Sequence, residues 1–516
     1  MRNKYLYITL LALLGYSPEI LAQGSVKYPP RLVVNITIDQ LRTDYMEAFA
    51  PLYGNDGFKA LLQRGTVFSN ASYPFSPIDR ASAVTTLATG ATPYYHSIVG
   101  EKWLDRETLC PVSCVGIDFS AKELSASTIG DELKVATEGN AKVFSISPFE
   151  DAAVLSAGHA ANGAFWMDEK YGVWLTSTYY ASTAPSWLNL FSGLHAPASD
   201  NSQLEWEPVM ALSGTFNYFQ HTTSNQKPFK HKFTGDSRYG TLMTSGLINA
   251  YVTDLALECL TQELIGVDLV TDYMTVNYYA GTFEHKAMSE CQLELQDTYV
   301  RLDRELAKLI QRIQSKLGKD NVLFVITSTG YSDVESADYE KYKIPTGTFY
   351  MKRSANLLNM FLGAVWGQGR YVESCFRNQM FFNHKLLESK RISLNDACLR
   401  AQEFLAQLSG VRNVYSALQL MTNINEQTLK LRNGFNPARC GDIIIEVSPG
   451  WKIYNEDNQE TQLSRASFIQ FPVIFYGADM KAERINDHVT VDRIAPTIAK
   501  TIRIRAPNAC SAEPLF

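Results

Sequence analysis

The sequence predicts an α/β protein with a mainly parallel central sheet and helices on both faces. Three observations carry that expectation. The runs Val33-Val34-Asn35-Ile36-Thr37-Ile38-Asp39 and Asn321-Val322-Leu323-Phe324-Val325-Ile326-Thr327 are apolar and β-branched, as in strands buried on both faces. Strand-like and helix-like stretches alternate toward both ends of the chain. The first run closes on a carboxylate, Asp39, at the strand edge where open α/β sheets place their ligands.

At the N-terminus, Arg2 and Lys4 precede an apolar stretch over 5–14 and then Leu21-Ala22-Gln23, the layout of a secretory signal peptide cut near Ala22. Residues 1–22 are therefore expected to be a leader, and 23–516 an exported domain, periplasmic or at the cell surface. No run reaches the roughly 20 apolar residues that a membrane-spanning helix needs. No cysteine at the cleavage point offers a lipid anchor, so any association with an outer-membrane assembly would be through contacts of the folded domain.

After the first strand, turn residues and apolar spacing predict a helix, the loop Tyr73-Pro74-Phe75-Ser76-Pro77, and a helix from near Asp79 to near Gly90. Residues 101–240 mix aromatics with turn residues and read as an inserted cap outside the central sheet. Helical periodicity returns over 241–264, a core strand follows at 269–276, then a long helix to Leu317 and the strand at 321–327. Residues 350–450 alternate amphipathic helix and strand and read as a second insertion.

A chain of 516 residues exceeds the ~250–300 at which a single core stops growing, which suits one main domain with insertions. The net charge of −6 offers no footprint for nucleic acid or an anionic membrane, and works mildly against anionic esters. Of eight cysteines, Cys110 and Cys114 are close enough in sequence to close a small loop, while the pairing of the others is open. A zinc ribbon is excluded because no second short-spaced pair follows.

The order Asp39-Gln40-Leu41-Arg42-Thr43-Asp44-Tyr45, Thr89-Gly90-Ala91-Thr92-Pro93, His96-Ser97-Ile98-Val99-Gly100, Phe471-Pro472-Val473-Ile474 and Asp492-Arg493-Ile494-Ala495-Pro496 resembles the alkaline phosphatase superfamily. The nearest branch resembles the secreted phosphatases with a threonine nucleophile, relatives of the nucleotide pyrophosphatase/phosphodiesterases. The resemblance spans nearly the whole chain and implies an alkaline-phosphatase-like fold with a two-zinc site and metal-dependent phosphomonoesterase or phosphodiesterase chemistry.

Laid on that pattern, Asp39 takes the position of the first metal ligand, but the other positions hold residues that bind zinc poorly or not at all. The nucleophile position falls on Arg80, unless a slip in register brings Asp79 or Ser82 to it. The Asp-x-x-x-His pair becomes Asn277 and Gly281, or Tyr278 and Thr282 in the neighbouring register. The adjacent Asp-His pair becomes Thr329 and Gly330, and the last histidine becomes Gln470. The substrate positions become Glu101, Phe149 and Asp151. These changes predict an exported pseudophosphatase that keeps no cofactor and binds a protein or glycan partner. The alternative is a phosphate- or sulfate-ester hydrolase with a remodelled metal site, using zinc and drawing on Asp39, Asp79, Glu101 and His285 or His96. His96 and His159 read as structural, and Arg80 as a salt-bridge partner of Asp39 or Asp79.

Overall fold

The structure, a computed structural model, describes residues 28–199, 204–210, 228–332, 339, 342–422, 425–457, 459–462 and 469–516. The leader expected at 1–22 lies outside them. The strands of the main sheet, in chain order, are β1 (Leu32–Asp39), β2 (Thr66–Ser72), β3 (Val143–Ser147), β4 (Gly163–Met167), β5 (Trp174–Leu175), β6 (Asp272–Tyr279), β7 (Val322–Ser328), β8 (Phe471–Gly477) and β9 (Glu483–Thr490). They lie in the order β9-β2-β8-β7-β1-β6-β3-β4-β5. The block β7-β1-β6-β3-β4 is parallel, whereas β8 runs antiparallel to both β7 and β2. The sheet is thus mainly parallel, as expected, and β1 sits at its centre.

Because successive side chains alternate across a strand, β1 feeds two cores. Leu32, Val34, Ile36 and Ile38 pack with residues of α4 (Ile248–Gln262) and α5 (Gln292–Leu317). Val33, Asn35, Thr37 and Asp39 alternate with them and face the other way. On that side Val33 packs with Leu87 of α1 (Arg80–Thr89) and with Ile129 and Leu133 of α2 (Ile129–Ala136). A third helix, α3 (Glu150–Ala157), packs on β3, β4, β6 and α1.

Helix α1 begins and ends where its sequence directs. Asp79 at the N-cap accepts from the Ser82 N–H at 3.0 Å and the Ser82 hydroxyl at 2.7 Å, a capping box. Gly90 ends the helix in the left-handed region at φ 65°, and a Cβ there would meet Cys510 Sγ at 2.7 Å.

Three expectations need correction. Residues 101–240 are not wholly a cap, because β3, β4 and β5 of the main sheet come from them. The strand expected at 269–276 is β6, shifted to Asp272–Tyr279, since Leu269 is exposed and the buried run starts later. The helical stretch expected over 241–264 is two helices, Arg238–Met243 and α4. Within 350–450 a separate antiparallel sheet, ordered Val372–Phe376, Gln379–Phe382, Ile443–Val447, Val411–Ser416, packs its own core against helices Met351–Trp366 and Leu394–Leu405. All eight cysteines are thiols, Cys110 exposed and Cys114 buried.

Gly90→Ala combines a strained φ with a clash against Cys510 and should destabilise the fold by ~1 kcal/mol or more. An unchanged urea midpoint would contradict that placement.

Candidate functional site

The site forms where β1 ends and α1 begins. Asp39, the last residue of β1, is buried at 3% exposure. Its Oδ1 accepts from the Thr329 hydroxyl at 2.8 Å, and that hydroxyl in turn accepts from the Gln40 N–H at 2.8 Å. Tyr331 Oη lies 3.4 Å from Asp39 Oδ2. Gln40 follows with φ 62°, a conformation that costs a non-glycine residue free energy.

Arg80, the first residue of α1, projects over this acid. Its Nε donates to Asp151 Oδ1 at 2.9 Å and Oδ2 at 3.1 Å. Its Nη1 is 3.8 Å from Asp39 Oδ2 and its Nη2 is 3.6 Å from Glu101 Oε1, both beyond hydrogen-bond length. The guanidinium carbon lies 3.8 Å from the centroid of the Phe149 ring. Burial works against its charge, but Asp151 first, then Glu101 and Asp39, hold its pKa above the ordinary arginine value. Glu101, Phe149 and Asp151 therefore converge on Arg80.

Asp79 is committed to its cap, and its Oδ2 also accepts from the Glu101 N–H at 2.9 Å. Arg377 Nη1 lies 3.5 Å from the same oxygen. Arg377 comes from the turn between Val372–Phe376 and Gln379–Phe382, at φ 52°, and a Cβ on Gly100 would meet its Nη1 at 2.7 Å. The sequence reading missed this residue; a lone arginine in a short turn carries no motif.

The remaining positions separate cleanly. In the pairing of β1 with β6, Thr37 is opposite Asn277 and Asp39 opposite Tyr279, so Asn277 shares the face of Asp39. Of the neighbouring register, Tyr278 turns into the α4 side, its hydroxyl 2.9 Å from Thr253 Oγ1, and the Thr282 hydroxyl has no hydrogen-bond partner among the described residues. Gly281 lies against Tyr279 and Gln40, where a Cβ would come within 2.5 Å of Tyr279 Oη. Gly330, at φ 69°, lies against the Tyr73 ring. Gln470 lines a different cleft of about 340 Å³ with Thr43, Asp44 and Arg484, and Arg80 is not in that lining.

His285, His96 and His159 do not join the site. His285 is exposed in a short turn at φ 53°. His96 is fully buried, pairs with Thr86 Oγ1 at 3.1 Å and accepts from the Ile98 N–H, and burial pushes its pKa down to about 3. His159 sits between Asp131 Oδ2 at 2.9 Å and the Leu124 carbonyl at 3.0 Å, and the hydrogen bond to Asp131 raises its pKa.

The two zinc ions that the resemblance implies do not fit these residues. Around Asp39 stand an amide, hydroxyls, a glycine and a permanent cation, and guanidinium repels a metal ion at that spot. Among the described residues no group of three His, Cys, Asp or Glu side chains is arranged to hold a metal.

A model of the family described as type I phosphodiesterase / nucleotide pyrophosphatase matches residues 33–469. The chain is 28% identical to alkaline phosphatase PafA of Elizabethkingia meningoseptica, over 98% of each protein. It is 26% identical to alkaline phosphatase PhoV of Synechococcus elongatus, over 93% of this chain and 91% of that one. The crystal structure of wild-type PafA superposes with a TM-score of 0.80, covering 94% of this chain and 98% of that one at 26% identity. The fold class expected from sequence is therefore the observed one. The expectation of a non-catalytic binding protein is corrected: relatives named as phosphatases match along nearly the full length, and they favour the hydrolase alternative.

Two predictions follow from this geometry. Arg80→Ala strands Asp151 and Asp39 as buried acids and should cost ~3 kcal/mol of stability, the scale for removing one partner of a buried pair; an unchanged unfolding free energy would contradict the pairing. His159 has a folded pKa above its unfolded one, so its contribution is complete below pH ~6.5 and is lost as pH rises through the folded value. His159→Gln should flatten the fall in thermal stability above neutral pH, and an identical pH profile in both proteins would refute it.

Proposed function

The chain belongs to the type I phosphodiesterase / nucleotide pyrophosphatase family, and from that premise we propose that it is a phosphate- or sulfate-ester hydrolase whose site is rebuilt around arginine in place of a metal pair. The observation that supports this most is the position of Arg80. Asp151 takes its Nε, which fixes the planar fork, while Nη1 lies 3.8 Å from Asp39 Oδ2 and Nη2 3.6 Å from Glu101 Oε1, beyond hydrogen-bond length, so both can donate to two oxygens of an ester oxyanion. Arg377, held near Asp79 and Gly100, supplies a second cation to the same region.

In this reading the charge that develops on the transferred group meets guanidinium in a partly dry site, where each such donor contributes on the order of 10²–10³ in rate. Ser82 and Asp79 are engaged in the helix cap, so in this reading water attacks the phosphorus or sulfur atom directly, the bond to the ester oxygen breaks, and the alcohol or phenol leaves to solvent. Glu101, 32% exposed and 3.6 Å from Arg80, is the acid placed to take a proton from that water. Asp39, Asp151 and Glu101 outnumber the one guanidinium they surround, which favours monoanionic esters over phosphate dianions. No zinc is required. Met1 to Ala22 acts as an export leader, and among the described residues no helix is long and apolar enough to cross a membrane.

The test is turnover of an aryl sulfate, an aryl phosphodiester and an aryl phosphate by the purified mature protein, with and without a chelator. The reading expects chelator-resistant turnover of at least one monoanionic ester, and a loss of about 10²-fold in kcat/KM for Arg80→Lys, which keeps the charge but not the fork. No turnover of any ester, or turnover abolished by the chelator, would contradict it.

A further inference from the structure

Beneath the site, four buried polar atoms in neighbouring positions have no hydrogen-bond partner among the described residues: Asn35 Oδ1, Thr275 Oγ1, Ser145 Oγ and Asn277 Oδ1. Their residues are at most 4% exposed. Such atoms are normally satisfied by protein or by ordered water, and a group of four in one place asks for a common explanation.

The strand register shows that they form one array. Asn35 of β1 is paired with Thr275 of β6, and Thr275 with Ser145 of β3, so three side chains stand in one row on one face of the sheet. The row is flanked by apolar neighbours: Val325 of β7 beside Asn35, and Ala164 of β4 beside Ser145. These belong to two different hydrophobic clusters, so the polar row fills the seam between them. Asn277 lies two residues beyond Thr275 on the same face, paired with Thr37, two residues short of Asp39.

Turning an amide over does not remove the deficit. Asn35 Nδ2 already donates to Tyr273 Oη at 3.0 Å, and Asn277 Nδ2 reaches the Ile146 carbonyl at 3.4 Å. A flip only exchanges which end of each amide is unpaired. The helix over this part of the sheet, α3, is rich in small residues, Ala152, Ala153 and Ala157, which leave more room than leucine would. Adjacent strands stand ~4.8 Å apart, so successive side chains in the row have the separation that one water bridges with two hydrogen bonds.

We infer that this seam is a binding site for a small cluster of buried water, held by Asn35, Thr275 and Ser145 and continuing to Asn277 below Asp39. Each water has two donors and two acceptors to offer. The asparagine oxygens take the donors, and the two hydroxyls take either role. The cluster is part of the fold, independent of the hydrolase reading.

The test pairs a crystal structure of the intact protein with two near-isosteric variants, Thr275→Val and Ser145→Ala. The inference expects ordered water within hydrogen-bond distance of at least two of the three row side chains, and a fall in Tm of ~1–3 °C for Thr275→Val, the shift for losing one hydrogen bond in a large domain. In a dry seam the sign reverses: replacing an unpaired hydroxyl with a methyl raises Tm. If Thr275→Val does not fold, Ser145→Ala is read the same way. A seam without water, including one in which Thr275 and Ser145 bond each other directly, overturns the inference.

Discussion

A guanidinium held at the carboxyl end of a parallel sheet constrains everything around it. Arg80 is 16% exposed on its side chain and has carboxylates at 2.9, 3.6 and 3.8 Å, together with an aromatic face below it. A buried cation without partners would cost several kcal/mol, and these neighbours, Asp151 foremost, offset that cost for an arginine at the first position of α1. Along the sequence Glu101 stands far from Phe149 and Asp151. In the folded chain they are one compensating set, with Phe149 and Asp151 placed by the start of α3 and Glu101 by the turn after Gly100.

That set depends on the register of the sheet. The pairing of Asp39 with Tyr279 places Asn277 on the side of Arg80 and turns Tyr278 into the opposite core. A slip of one residue would exchange the two faces and bury the acid among aliphatic side chains. The apolar half of β1 therefore orients its polar half: Val34, Ile36 and Ile38 lock into α4 and α5, and Asp39 has no choice of direction.

The legible parts of this chain were the local ones. The apolar run of β1, its terminal acid and both caps of α1 could be read because each is specified within a few residues. The placement of β3 in the main sheet could not. It is only five residues long, Val-Phe-Ser-Ile-Ser, and it belongs to the sheet through a partner about 130 positions later. Arg377 was invisible for a similar reason, since its approach to Asp79 depends on how the second sheet docks. The expectation of a non-catalytic protein weighs Arg80 as repelling zinc and Glu101, Phe149 and Asp151 as repelling or ignoring phosphate, position by position; that all three gather on Arg80 is set by the fold. The phosphatase relatives overturn that expectation.

The central claim is that Arg80 occupies the place of a metal beside Asp39. The most direct measurement is a crystal structure of the protein grown with excess zinc, with anomalous scattering recorded at the zinc edge. The account predicts no anomalous peak at coordinating distance from Asp39, and a guanidinium still bonded to Asp151. A zinc peak on Asp39 with Arg80 displaced would contradict it.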